Sequence, residues 1–574
     1  MKLLRFLLPF LFSVALISFL NAQCPTPPVN GTVSGNSVNA TISNGGDLFF
    51  DGNQGNFQVP ADVEPLRSTI FAAGLWMGAF DESENLRISA QGYGRYSNRF
   101  DFTPGPLNPA DGENLEDHCE RYNKIWKVEK SDILSHLEDF QGDGVIENPI
   151  PSIFGWPGNN NEHFFYYNGF NLPFNEHKWA PFVDKNNNGI YEPQLGEYPH
   201  PDNVINNLIP EQITWTVFND NTERDGISSE TIGVPLKMEI QLTSWNFSCL
   251  GNHVLEHSLF TSYKIINRSQ ETLDSMYVGL FVDFDNGCYL DDFIGSAPEQ
   301  DGFYVYNSDA LDGESSANDC VGVETYGENP PAQSVAFLNR SLDKFMYFHG
   351  GGILPPPNAN HLPPETPAEF YNYLSGSWAD GSPLTYGGDG RDPISESEAT
   401  DHAFPGNPMD ENGWSQITEG FADGDFRTIG SSYIGIFEPG ESIKINLAHT
   451  YHGYPSLNNL ESADQAYTEL AMMQQMYDMQ FNSWCSDIVA DVEEVQLQGV
   501  EISPNPNDGI FRINSVNEEI DEIEVYDPLG RLVYFREFEN QKNIEMNLRN
   551  QPSGLYFLKI NSNNLSTSIK VQVQ

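Results

Sequence analysis

Apolar and polar residues alternate in seven short stretches near the carboxyl end of the chain. The stretches are 500–503, 509–515, 522–526, 531–538, 543–548, 554–561 and 567–573. A period of two places successive side chains on opposite faces, which is typical of half-buried β-strands. Proline, asparagine and glycine separate the stretches and favour tight turns. The pattern predicts an immunoglobulin-like β-sandwich over residues 497–574, although a carbohydrate-binding or spacer sandwich would show the same pattern.

A similar alternation, with long connections rich in asparagine, glycine and proline, runs through residues 45–486. Strands are expected at 68–80, 86–93, 212–218, 235–246, 258–267, 275–283, 302–306 and 443–451. Helical spacing occurs at 131–140, behind a serine cap, and at 461–481, whose methionines indicate core packing. We therefore predict a mainly β, multidomain protein with a β-sandwich-rich body and a few helices. Its expected regions are an N-terminal β-rich body (23–250), a second sandwich-like region ending in a helix (251–496) and the C-terminal sandwich (497–574).

The amino terminus has the pattern of a secretory signal peptide. A basic start precedes an almost wholly apolar run over 6–20, and Ala22 offers a cleavage site. Residues 1–22 are therefore expected to be removed. No later stretch approaches the roughly 20 apolar residues of a membrane-spanning helix, so no transmembrane segment is expected.

Three motifs mark the turns and strands of the C-terminal stretch. The first contains Pro504, Asn505, Pro506, Gly509 and Phe511, the second Asp527, Gly530 and Arg531, and the third Pro552, Gly554 and Tyr556, with Lys570 close to the terminus. In order and spacing they resemble the type A C-terminal sorting domain of the type IX secretion system of Bacteroidetes. Segments of the body, including 75–78, 180–184 and 371–374, resemble uncharacterised cargo proteins of that system. The resemblance implies export across the outer membrane by the type IX machinery, to the cell surface or the extracellular medium.

The net charge excludes some classes of binding partner, and the cysteine content predicts disulfide bonds. The formal net charge of the 574 residues is −53. Such acidity argues against nucleic acids and anionic membranes, because their phosphates would be repelled. The cysteines are Cys24, Cys119, Cys249, Cys288, Cys320 and Cys485. An even number in an exported chain predicts disulfides, whose pairing the sequence leaves open.

Segment 184–192 carries oxygen ligands at the spacing of a calcium loop. Loop positions 1, 3, 5 and 9 are Asp184, Asn186, Asn188 and Glu192, and the carbonyl of Ile190 stands at position 7 behind a glycine. Ca²⁺ prefers such hard oxygen ligands. Position 12, however, is Leu195, so that Glu197 would have to supply the missing carboxylate. The alternative is an asparagine-rich solvated turn.

A second acidic group follows the strand expected at 275–283. Its members are Asp283, Asp285, Asn286, Gly287, Asp291 and Asp292, with Asp301 farther along the chain. Carboxylates at this density repel one another unless a cation or protons neutralise them. Structural Ca²⁺ and an exposed acidic loop are equally good interpretations.

Motifs for catalysis are fragmentary. The chain has no Gly-x-Ser-x-Gly, no His-Glu-x-x-His and no phosphate-binding loop. The pairs Glu162–His163 and Glu176–His177 can contribute to a zinc site, and the aromatic run 164–167 can stack on sugars, but chance pairing and core packing explain them more simply. The sequence favours a non-enzymatic adhesive or structural surface protein with calcium-stabilised loops and a glycan or protein ligand. The alternative is a secreted hydrolase acting on polysaccharide or protein.

Overall fold

The computed structural model divides the chain into two compact units, residues up to 487 and residues 488–574, which we call the body and the terminal module. The structure describes residues 27–94, 98–173, 175–222, 224, 228–249, 251–313, 320, 322–350, 361–391, 398–485, 500–515, 519–526, 532–562 and 565–573. The expected signal peptide at 1–22 lies outside these ranges. The protein is mainly β, as the alternation predicts.

Two nine-stranded antiparallel sheets form the body. Its strands are β1 (Asn30–Val33), β2 (Asn39–Ser43), β3 (Asp47–Leu48), β4 (Phe57–Gln58), β5 (Ser68–Phe80), β6 (Leu86–Ala90), β7 (Thr103–Pro104), β8 (Trp126–Glu129), β9 (Gln212–Asn219), β10 (Met238–Asn246), β11 (Ser258–Asn267), β12 (Leu273–Phe284), β13 (Asp292–Ala297), β14 (Gly302–Asn307), β15 (Ala332–Phe337), β16 (Lys344–His349), β17 (Phe426–Phe437) and β18 (Ser442–His452). The first sheet has the order β1-β2-β3-β5-β12-β17-β16, with β4 and β6 paired to β5. The second has the order β13-β14-β15-β18-β11-β10-β9-β7, with β8 paired to β9.

Long strands of small and apolar residues form the centre of the first sheet. Strand β5 is buried at all but three of its positions, which suits a strand covered on both faces. At Gly74 a Cβ atom would lie 1.8 Å from the carbonyl oxygen of Gln91. Only glycine therefore permits the chain after β6 to pass so close to β5.

The two sheets combine strands from both sides of residue 250. Strand β5 pairs with β12 in the first sheet, and β10 pairs with β11 along its whole length in the second. The expected boundary at residue 250 falls between β10 and β11, which are hydrogen-bonded neighbours. It therefore does not separate two compact units, because the body is a single one.

Helices cover parts of the sheets. They are α1 (His118–Tyr122), α2 (Lys130–Asp143), α3 (Pro151–Phe154), α4 (Phe164–Asn168), α5 (His253–Glu256), α6 (Pro367–Leu374) and α7 (Asn459–Asp478). Both predicted helices, α2 and α7, are present. The cap of α2 differs from expectation, since Glu129 is the N-cap residue and makes no side-chain cap. Helix α7 begins with a capping box of Asn458 and Glu461, and its Met473 and Met476 are buried.

Disulfides connect distant parts of the body, as the cysteine content predicts. Cys249 pairs with Cys485 across 236 residues, and Cys288 pairs with Cys320. Cys119 is also disulfide-bonded. The first bond joins the segment after β10 to the segment after α7 and closes a loop of about half of the body.

The terminal module is a sandwich of two antiparallel sheets. Its strands are β19 (Val500–Ser503), β20 (Ile510–Ser515), β21 (Ile520–Tyr526), β22 (Leu532–Gln541), β23 (Asn543–Asn547), β24 (Gly554–Ser562) and β25 (Leu565–Val573). One sheet has the order β19-β20-β23 and the other β22-β21-β24-β25. A single core joins them, with Phe511, Ile513 and Met546 from the first sheet and Ile523, Val525 and Leu558 from the second. The predicted seven-stranded sandwich is confirmed.

Residues of the first and third motifs support this sandwich. The hydroxyl of Tyr556, which is buried, donates to the carbonyl of Pro552 at 2.7 Å. The Asn505 side chain donates to the carbonyl of Lys570 at 2.8 Å and accepts from the N–H of Gln572 at 2.9 Å. Pro504, Pro506 and Gly509 form the turn between β19 and β20, Phe511 lies in the core, and Gly554 begins β24. Asp527, Gly530 and Arg531 lie outside the described residues.

Candidate cation centre and comparisons

The acidic group predicted after β12 lies in the interior of the body. We call Asn286, Asp291, Asp292 and Asp312 the inner acidic group. The connection between β12 and β13 supplies the first two, β13 begins at the third, and the fourth follows β14. All four are buried, with no more than 3% of any residue exposed. The interpretation as an exposed acidic loop therefore does not hold for this group.

Backbone N–H groups supply the hydrogen bonds of these carboxylates. Asn286 donates to Asp292 Oδ2 at 3.0 Å, and the N–H of Gly313 donates to Asp291 Oδ2 at 2.8 Å. Asp312 accepts from the N–H of Cys288 at 2.9 Å and from that of Tyr326. Three buried oxygens, Asn286 Oδ1, Asp291 Oδ1 and Asp292 Oδ1, have no hydrogen-bond partner. A buried oxygen without a partner is costly, and a cation or a proton would relieve that cost.

Burial raises the pKa of every carboxyl in this group. It raises the pKa of Asp292 well above its usual range, with a further contribution from Asp291. It also raises the pKa of Asp291 to about 7 and that of Asp312 to about 6. Among the described residues, no lysine or arginine forms an ion pair with any of the three. At neutral pH the group therefore needs protons or a bound cation to balance its charge.

Asp283 and Asp285 belong to a different environment, which contains an arginine. We call Tyr93, Asp283, Asp285, Asp425 and Arg427 the arginine-side group. Arg427 Nε lies 3.1 Å from Asp283 Oδ1, and the guanidinium also pairs with Asp425. The Tyr93 hydroxyl donates to Asp283 Oδ2 at 2.6 Å. Burial, together with Asp283, raises the pKa of Asp285 well above its usual range.

The structure thus distributes the predicted acidic residues over two sites. Ligand atoms of Asp283, Asp285 and Asp425 lie within 4.8 Å of one another, as do those of Cys288, Asp291 and Asp312. Cys288 is held in a disulfide, so its sulfur is not available as a thiolate ligand. Sequence reasoning missed Asp312 and Asp425, because they come from connections distant in sequence with no local metal-binding spacing.

The predicted calcium loop closes on its own hydrogen bonds. Asp184 Oδ2 accepts from the N–H of Gly189 at 2.7 Å, and Asn188 Oδ1 accepts from that of Ile190 at 2.7 Å. The side-chain amides of Asn186 and Asn188 donate to Glu192 Oε2 at 2.9 and 2.6 Å.

Glu197 holds the two ends of this loop together. It is buried, and its carboxylate accepts from the N–H groups of Lys185 at 3.0 Å and Glu192 at 2.7 Å. Burial raises its pKa. The carboxylate expected to complete the loop is thus beside it, but it is engaged by backbone donors.

One hydrogen-bonded set has the residue types of a hydrolase. The Ser334 hydroxyl lies 2.7 Å from His452 Nε2, and His452 Nδ1 lies 2.5 Å from Glu469 Oε2. All three residues are at most 3% exposed, and helix α7 packs over strands β15 and β18 here. A catalytic serine must reach its substrate, so this buried arrangement favours a structural network.

Within the described ranges, neither predicted His/Glu pair belongs to a cluster of three possible metal ligands. His163 Nε2 lies 3.1 Å from Gln194 Oε1 and 3.5 Å from Glu162. Glu176 pairs with Arg268, 2.5 Å away. These contacts give the side chains ordinary polar partners.

Comparison with protein families identifies the terminal module. Residues 501–574 match the family of secretion system C-terminal sorting domains, and these are the residues that form the sandwich described above. The chain therefore carries a C-terminal sorting domain and is a cargo of the type IX secretion system. It is exported to the cell surface or the extracellular space.

The other comparisons give the body no function. No curated protein matches the chain. A solved structure of a polysaccharide lyase matches with 10% sequence identity and a TM-score of 0.18, covering 58% of this chain and 34% of the lyase chain. The match thus spans about a third of that structure's length. Among the described residues, no helix is long and apolar enough to cross a membrane.

Proposed function

We propose that the exported body is a non-enzymatic adhesive or structural protein of the cell surface, stabilised by Ca²⁺ in the inner acidic group. The observation that carries the proposal is the burial of three carboxylates without an ion-pair partner among the described residues, beside the unpartnered oxygens of Asp292 and Asn286. Uncompensated charge in a protein interior is strongly destabilising. A divalent cation would convert this cost into a stabilising interaction.

The chemistry of the donors favours Ca²⁺ over transition metals. The group offers carboxylate and amide oxygens, and Ca²⁺ takes about six to eight such ligands in flexible geometry. Zn²⁺ and Cu²⁺ prefer imidazole or thiolate, and the nearby Cys288 is oxidised. The extracellular medium, to which the chain is exported, also contains Ca²⁺. A bound ion would join the β12–β13 connection to the segment after β14.

A secreted hydrolase is the second candidate. Its support is the Ser334–His452–Glu469 set, with serine, imidazole and carboxylate in hydrogen-bonded order. The burial of Ser334 weighs against it. We therefore favour the non-enzymatic interpretation.

Thermal unfolding of the full exported chain tests the proposal. We expect the melting temperature to rise in CaCl₂ and to fall in EDTA, and we expect no turnover on a panel of glycans and peptides. The variant Asp292→Asn should lose the calcium response, whereas the control Asp184→Asn, in the other predicted loop, should keep it. Equal melting in calcium and EDTA would refute the calcium site, and product release from the panel would refute the non-enzymatic assignment.

A further inference from the structure

Helix α4 presents two large aromatic side chains to solvent. Tyr166 is 83% exposed and Phe165 is 55% exposed. Phe164, on the other side of the helix, is buried against Trp126 and Phe170. Phe164 thus anchors the helix to the body, while the rings of Phe165 and Tyr166 are accessible to solvent. Exposed aromatic rings in a group often mark an interaction site.

A groove of about 680 Å³ lies beside Phe165. We call it the α4 groove; the lining residues that matter here are Glu120, Arg121, Lys124, Phe165, Phe170 and Asn171. The Lys124 ammonium donates to Asn168 Oδ1 at 2.7 Å and lies 5.1 Å from the ring of Trp126. In the described part of the chain, Lys124 makes no ion pair with a carboxylate. The side-chain amides of Asn123 and Asn168 are already hydrogen-bonded within the protein. The groove therefore combines the rings of Phe165 and Phe170 with the amide of Asn171 and an ammonium group that retains hydrogen-bonding capacity.

We propose that the α4 groove binds a neutral glycan. Sugar rings have apolar C–H faces that pack against aromatic rings and hydroxyls that bond to amides and ammonium groups, and the groove offers both kinds of partner. The inference rests on the proposed adhesive function and specifies its ligand.

The charge of the chain decides between neutral and acidic glycans. With a net charge of −53, the protein repels polyanions over the range of the Debye length. The groove lining also contains the carboxylate of Glu120, and Arg121 is already paired with Asp117 at 3.3 Å. A sugar polymer without carboxylates or sulfates avoids this repulsion.

Affinity electrophoresis of the full chain tests the inference. The native gels would contain a neutral β-glucan, mannan, xylan or galactan, and a separate gel would contain alginate as the polyanion. We expect at least one neutral polysaccharide to retard the protein. The variant Phe165→Ala should weaken that binding at least about tenfold, which corresponds to roughly 1.4 kcal/mol.

Tyr433 provides a matched control, since it is an aromatic residue 48% exposed on strand β17. Tyr433→Ala should bind like the wild type, and unchanged melting temperatures would establish that all variants are folded. Retardation by alginate alone, by none of the polysaccharides, or equally in Phe165→Ala would overturn the inference. If calcium still raises the melting temperature and no turnover occurs, such a result would leave the proposed function standing.

Discussion

Asn286 and Asp292 are joined by one hydrogen bond, and each keeps a buried oxygen without a partner. The backbone N–H of Asn286 donates to Asp292 Oδ2 at 3.0 Å, while Asn286 Oδ1 and Asp292 Oδ1 accept no hydrogen bond. A well-packed interior satisfies nearly all its polar atoms. This arrangement is therefore best explained by a group that binds these oxygens, and it underlies the calcium proposal.

Asp292→Asn should have opposite effects with and without calcium. In EDTA at pH 7 we expect the variant to be more stable than the wild type by about 2 kcal/mol, because a buried charge or its forced protonation is removed. In calcium at 100 times the Kd, the wild type should gain about 2.7 kcal/mol that the variant lacks. Urea unfolding under both conditions measures the difference. A variant less stable than the wild type in EDTA would contradict the account.

The calcium-free protein should lose stability as pH rises. Burial raises the folded pKa of Asp291 from 3.8 to about 7, so the folded state binds more protons than the unfolded state between these values. In EDTA, each such group then lowers the free energy of unfolding by up to about 1.4 kcal/mol per pH unit over that window. Calcium should flatten the slope, because it takes the place of the protons. Urea titrations at pH 4.5, 5.5 and 6.5 test this, and a slope unchanged by calcium would argue against it.

Glu469 should stabilise the body in the opposite pH direction. Its burial alone would raise its pKa, but hydrogen bonds from His452, Tyr454 and Gln465 outweigh burial and lower the pKa to about 2. Its contribution is therefore complete above the unfolded value of 4.5 and is lost as pH falls towards 2. We expect Glu469→Gln to cost about 3 kcal/mol at pH 7 and to reduce acid sensitivity. Ser334→Ala is the control, and an equal loss of stability in that variant would show that the carboxylate is not the determinant.

Deletion of residues 497–574 should stop export. The sorting domain would be absent, so we expect the truncated chain to remain in the periplasm while the full chain reaches the surface or the medium. Cell fractionation and immunoblotting measure the distribution. A point variant offers a finer test, since Phe511→Ala removes a buried core ring and should destabilise the module by about 3–5 kcal/mol. Normal export of the truncated chain would show that the module is dispensable.

Regular alternation made the strands predictable, whereas features that depend on contacts between distant parts of the sequence could not be predicted. Strands β12 and β18 and helix α7 have a clear period, and so does the whole terminal module. The continuity of the body across residue 250 could not be predicted, because it depends on the pairing of β5 with β12, which joins segments about 200 residues apart. The acidic residues at 283–292 were visible as a cluster, but their burial was not. Asp312 lies far from these residues in sequence, and only the folding of the chain brings it close to them. Likewise, Arg427, which pairs with Asp283, lies on β17, more than 140 residues later in the chain.

Calorimetric titration of the full chain with CaCl₂ tests the central claim most directly. We predict that the wild type and Asp184→Asn bind calcium with the same heat and affinity, whereas Asp292→Asn loses a binding event. Circular dichroism of the variants would verify that each is folded. Absence of calcium binding in the wild type, or binding that survives Asp292→Asn unchanged, would contradict a calcium site in the inner acidic group.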